Sequence, residues 1–160
     1  MEKRIGNIRE LGINYIYDNN RKGAKYSVNN GKSWINGGEM SEIGTKAVFG
    51  IDLLEKDANT PFDKGSDIEE LEMSVKSSKF TLCCPIGKTW DETITNYFQR
   101  VHSTSWAYAV IIEDEITVYT MNKPEFKEFL ETWANWDDSR KVVRGKATSG
   151  KMIKWFEERL

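Results

Sequence analysis

Histidine, cysteine and proline are scarce in this 160-residue chain, which holds one His, two Cys and three Pro. A single histidine, His102, leaves Ser77 and Ser78 without a patterned base, so no serine nucleophile is indicated. Its place at the end of an expected helix suits a capping role, because an imidazolium complements a helix carboxyl end. The two cysteines, Cys83 and Cys84, are adjacent, which is poor geometry for a disulfide, and two thiols alone make no metal set. They are expected to be small packing residues at a strand end. Zinc spacings, an HEXXH helix, a P-loop and a Gly-rich dinucleotide turn are all missing.

Long apolar runs are missing too. No stretch approaches the roughly 18 apolar residues of a membrane span. No apolar segment follows the charged start Met1-Glu2-Lys3-Arg4. A soluble, cytoplasmic protein with no membrane partner is expected. There is no repeat, no low-complexity tract and no Pro/Gly/Ser linker, so residues 1–160 read as one domain. The first 25 or so residues are polar and read as an arm or a short helix.

What is present is bulky core material: 39% of residues are hydrophobic, with six Trp, six Tyr and seven Phe, which excludes a disordered chain. The net charge is only −2, but it is unevenly spread. Residues 139–160 carry Arg140, Lys141, Arg144, Lys146, Lys151, Lys154 and Arg159 against Glu157 and Glu158. Such a segment is either a phosphate-contacting, DNA-binding surface or a solvated helix face.

Periodicity orders the elements. A turn signal at Asn29-Asn30-Gly31 is followed by a helix over 39–49, with Met40, Ile43, Ala47 and Val48 at helical spacing. Residues 68–82 read as a strand or a bent pair, with Leu71, Met73 and Val75 alternating with Glu70, Glu72, Ser74 and Lys76. Pro85 to Lys88 makes a turn. Asp91 is placed to cap a helix over 91–101, carrying Ile94, Tyr97, Phe98 and Val101 on one stripe. Trp106 to Ile112 is a strand buried on both faces, and Glu113-Asp114-Glu115 turns it into a second strand over 116–121. Asn122 caps a helix with Pro124 in its first turn, a short strand follows near 141–145, and a last helix starts near Ser149. The predicted class is α/β, a mixed central sheet flanked by helices.

The chemistry concentrates around Asp67. Metal-assisted phosphodiester hydrolysis needs carboxylates for Mg²⁺ and a lysine near the developing charge. Asp67, Glu70, Glu72 and Lys76 lie close in the chain, with Glu39 and Glu42 on the preceding helix. An alternating Glu/Lys strand is also what a solvated sheet face looks like.

The run from a helix bearing an acid, through Gly65-Ser66-Asp67 at a hairpin start, to a strand ending in Lys76 resembles the PD-(D/E)XK nucleases. The stretch from Ser105-Trp106 to Trp136 is similar to the matching part of small type II restriction endonucleases. The resemblance covers residues 39–137 and implies a restriction endonuclease-like core. It implies a metal-dependent endonuclease acting on DNA with Mg²⁺, or Mn²⁺ in its place, as a homodimer. Asp67 would match the metal-binding aspartate, Lys76 the catalytic lysine, and Glu42, or else Glu39, the helix acid. The chain departs from the pattern at Ser74-Val75-Lys76, where an acid usually stands two residues before the lysine. Family members with Ser-Val-Lys recruit a glutamate from the next helix, which here would be Glu92 or its neighbour Asp91. Glu72 is the substitute on the same strand, roughly 13 Å from Lys76 along it. Of these, Glu92 is preferred. The alternative is the same fold with an eroded metal site, binding DNA or a protein without cutting.

Overall fold

A computed structural model of the protein describes residues 1–18, 23–27, 37–51, 67–82 and 87–160. Gly65, Ser66, the Asn29-Asn30-Gly31 turn, Pro85, Cys83 and Cys84 lie outside the described residues.

The centre is a mixed four-stranded sheet. Its strands are β1 (Glu2–Asn7), β4 (Met73–Lys76), β5 (Ser105–Ile112) and β6 (Glu115–Met121), in the order β1-β6-β5-β4. Strands β4 and β5 run parallel, with Met73 opposite Ser105 and Lys76 opposite Tyr108. The other two pairings are antiparallel. A small hairpin, β2 (Asn14–Asp18) with β3 (Gly23–Ser27), stands apart from this sheet, as does a second, β7 (Ala134–Asp137) with β8 (Val142–Gly145). Among the described residues there are four α-helices: α1 (Gly37–Val48), α2 (Trp90–Arg100), α3 (Lys123–Trp133) and α4 (Gly150–Glu157). The fold is therefore mixed α/β, as the periodicity predicts.

Strand β5 shows why the layers form. Successive side chains point to opposite faces. Trp106, Tyr108 and Val110 enter one core with residues of α2, α3 and α4. Ala107 and Ala109 face the other, with Met40 and Ile43 of α1. The small side admits α1 closely: a Cβ on Gly44 would come within 2.5 Å of the Ile116 side chain. The large side stacks aromatics, Trp106 on Phe126 at 5.2 Å and Tyr119 on Phe156 at 4.3 Å. The Trp106 indole donates to the Tyr97 hydroxyl at 2.9 Å, so its one polar atom is satisfied inside the core.

Helix α3 starts as its sequence suggests. The Asn122 side chain accepts from the Glu125 amide while the Glu125 carboxylate accepts from the Asn122 amide. This reciprocal box satisfies two amides that the helix leaves open. Replacing Asn122 by alanine is expected to cost about 1 kcal/mol, read as a shift in the urea midpoint with an unchanged slope.

Three expectations are corrected. Residues 2–7 are neither arm nor helix but the outer strand of the sheet, paired along its length with β6. Helix α2 is capped by Thr89, whose hydroxyl accepts from the Glu92 amide, and Asp91 lies inside the first turn. The strand expected over 68–82 is regular only at Met73–Lys76. Before it, Ile68 bridges back to Met73 around a single 3-10 turn at Glu69–Leu71, and closing that turn puts Glu72 in the left-handed region at φ 46°. The strand expected near 141–145 is present as β8, and it pairs with β7, which follows α3 without a break. Among the described residues, no helix is long and apolar enough to cross a membrane.

Candidate functional site

Among the described residues, strand β4 has a neighbouring strand on one side only, so its outer amides need other partners. Asp67 supplies one: its Oδ2 accepts the Val75 amide at 2.7 Å. This fixes the carboxylate beside the strand's outer edge, one residue before Lys76. Helix α1 packs on the same side of the sheet as Met73 and Val75, and brings Glu42 to this edge.

The Glu42 and Asp67 side chains are hydrogen bonded to each other. Two carboxylates cannot share such a bond unless one carries a proton. That group is Glu42, whose pKa is pushed up to about 8, by burial first and then by the Asp67 charge and hydrogen bond. Lys76 and Lys46 act in the opposite direction, favouring the carboxylate. Lys46 is buried, one turn beyond Glu42 on α1. The site thus comprises two acids sharing a proton, flanked by two ammonium groups. Glu39 is also on α1, but its side chain lies outside the described residues.

The acids proposed to fill the gap left by Ser74 are engaged elsewhere. Glu92 Oε2 accepts the Lys88 amide at 2.7 Å, closing the amino end of α2. That helix packs in the aromatic core, across the sheet from α1. The Glu72 carboxylate accepts from the Thr104 hydroxyl at 3.3 Å, and its carbonyl from the Thr104 amide at 2.8 Å. The alternation that put Glu72 on the face of Lys76 does not extend past the turn at residue 72. Ser74 is buried and shares a hydrogen bond with the hydroxyl of Ser103, so it points to the segment between α2 and β5. Among the described residues, no group of three or more His, Cys, Asp or Glu is placed to hold a metal ion.

Two acids remain compatible with one particular guest. Mg²⁺ keeps several waters and is often held by one or two carboxylates, the rest of its shell coming from water and phosphate oxygens. The Glu42–Asp67 pair has that donor chemistry, and a dication would replace the shared proton as the source of positive charge. The residues present therefore fit Mg²⁺ better than a cation that needs an all-protein cage.

An open groove of about 730 Å³ lies at the ends of the parallel strands, lined by chain neighbours of the pair rather than by Glu42, Asp67 or Lys76 themselves. Ser41, next to Glu42, and Ser77, next to Lys76, both line it, as do Lys79 and the Thr148–Gly150 entry to α4. Crevices at the carboxyl ends of parallel strands are where open α/β sheets bind ligands. Tyr108 is buried in the aromatic core with its hydroxyl 2.6 Å from that of Thr148, which lines the groove, and burial pushes its pKa up.

The basic segment divides. Arg144 pairs with Asp137 at 3.4 Å, Lys141 with Asp138, and Lys154 with Glu158 at 3.9 Å. The side chains of Arg140, Lys146 and Lys151 are exposed and take no ion pair among the described residues. Lys151 also sits in the first turn of α4, where a cation opposes the helix dipole. His102 is exposed two residues beyond the end of α2, and the cap position itself is held by Val101.

Sequence reasoning missed Lys46 and Ser103. A Glu-to-Lys step of four on one helix was the available signal for Lys46. Ser103 had none, because its partner is 29 residues away. No protein-family model, curated protein or solved structure matches the chain.

Proposed function

We propose that the protein is a metal-dependent DNA endonuclease of the PD-(D/E)XK type. The observation that carries this reading is the meeting of Glu42, Asp67 and Lys76 at one edge of the sheet. The mixed sheet with helices on both faces adds support, because it is compatible with the core that the resemblance implies.

Asp67 and Glu42 would hold Mg²⁺ or Mn²⁺. When bound, such an ion polarises a phosphate and lowers the pKa of water. Asp67 is held in place by the Val75 amide, so its orientation does not depend on the guest. Glu42 releases its proton on loading, and Lys46 stabilises the resulting carboxylate. The Lys76 ammonium, beside the pair, offsets the negative charge that develops on the phosphate in the transition state. The adjoining groove gives the DNA strand a path.

The test is incubation of the purified protein with supercoiled, linear, single-stranded and branched DNA in Mg²⁺ or Mn²⁺. Cleavage of at least one form supports the proposal. No cleavage of any form by folded, DNA-binding protein removes it.

A second reading, the same fold holding DNA without cutting it, is favoured by one observation: Ser74 is committed to Ser103 and, among the described residues, no third acid joins the pair. Calorimetric titration with Mn²⁺ separates the two. Uptake by the wild type, absent from Asp67→Ala, supports the enzyme; equal heats from both support the binding module. A homodimer would supply one site for each strand of a duplex, and sedimentation velocity reads that state directly.

A further inference from the structure

The groove beside the acid pair does not end at Lys79. A second cavity of about 280 Å³ is also lined by Lys79, and continues to Trp136, Arg144 and Lys146 on and beside the β7–β8 hairpin. We propose that these two cavities, which share Lys79, together form a trough that seats a single, unpaired DNA strand, with phosphates on Lys79 and Lys146 and a base stacked on Trp136.

Three observations carry the assignment. Lys79 and Lys146 are exposed, and neither side chain has an ion pair or hydrogen bond among the described residues. Their charges are thus free for a polyanion. The hairpin's acids are already committed: Asp137 accepts from Ser139, the Arg140 amide and Arg144, while Asp138 accepts from Lys141 and Trp136. The trough therefore offers cations without exposing equal negative charge. Trp136 is half-buried, and its indole N–H donates to Asp138 at 3.2 Å, which pins the ring at the cavity wall. A fixed aromatic ring in a cavity also lined by unpaired cations is the pattern by which proteins hold single strands: phosphates track the charge and bases stack on the ring.

The inference rests on the nuclease reading only for what lies at the groove's other end, where the strand would pass Glu42 and Asp67. It is tested without metal. Anisotropy of a labelled oligothymidylate in EDTA is measured against salt for the wild type, Trp136→Ala, Trp136→Phe and the double variant Lys79→Ala/Lys146→Ala. Trp136→Ala is expected to bind about tenfold more weakly, and Trp136→Phe close to wild type. An oligomer of abasic sites should bind wild type and Trp136→Ala alike. The double variant should lower the slope of log affinity against log salt by about 1.4. Thermal melting establishes that each variant is folded.

An unchanged slope, or a Trp136→Ala loss that persists on abasic strands, overturns the assignment. So does duplex binding that is tighter than single-strand binding and indifferent to Trp136. Single-strand binding as expected from a protein that cuts nothing keeps the trough and removes the nuclease reading. Cleavage of single strands by Trp136→Ala at the wild-type rate and KM removes the trough and keeps the nuclease.

Discussion

Lys76→Ala is expected to lower the rate of Mg²⁺-supported DNA cleavage by about 10²- to 10³-fold, with little change in DNA affinity. The asymmetry follows from position. Lys76 ends β4 beside the Glu42–Asp67 pair, where charge develops during reaction, rather than along the groove that continues past Lys79. A group that acts on developing charge affects kcat more than binding. Lys76→Arg is expected to recover little, because the planar guanidinium cannot take the place of a compact ammonium. Single-turnover cleavage with saturating enzyme, beside anisotropy in EDTA, separates the two effects. A loss carried entirely by affinity would make Lys76 a phosphate anchor.

The second large effect belongs to Glu42. With its pKa pushed up to about 8, the group is mostly protonated at neutral pH, and a dication must displace that proton. Apparent Mn²⁺ affinity should therefore rise by close to tenfold per pH unit between about pH 6 and 7, and level off above about pH 8. Calorimetry in buffers of different ionisation enthalpy should report nearly one proton released per ion at pH 7. The same titration affects stability in the opposite direction. Glu42 binds its proton more tightly in the folded than in the unfolded chain, so between about pH 4.5 and 8 the native state holds the extra proton. Stability from this group is fully present below about pH 4.5 and is lost as pH rises through about 8. Glu42→Gln should flatten that slope, stand above wild type in urea midpoint at pH 8, and lose the pH-dependent metal affinity. Parallel slopes in the two proteins would place the proton elsewhere.

The candidate site was readable to different depths. Asp67 and Lys76 could be named because of the succession of helix and strand around them; an Asp and a Lys in close order are not distinctive in a chain that is 30% charged. Glu42 followed from the same succession, although nothing local separates it from Glu39. The replacement for the missing acid could not be read. Whether Glu92 or Glu72 turns towards Asp67 depends on which face of the sheet α2 covers and on where β4 begins. Both are tertiary outcomes: the aromatic stripe of α2 draws it to the side of Trp106, and the bridge from Ile68 to Met73 cuts the strand short. Strand β1 escaped for a related reason. Its polar alternation is weak because most of it is exposed, and it is extended because β6 pairs with it. The helix starts were legible at Asn122 and Ser149, where a side chain contacts an amide three residues on, an interaction contained in the local sequence.

The claim at the centre of this account is that Asp67 and Glu42 form a metal site that cuts DNA. It is tested most directly by incubating supercoiled plasmid with Mn²⁺ and either wild type or Asp67→Ala, purified in parallel. Nicked or linear product from the wild type, abolished by EDTA and absent from Asp67→Ala, is the predicted result. Equal product from both proteins, or none from a folded wild type that binds the plasmid, would contradict it.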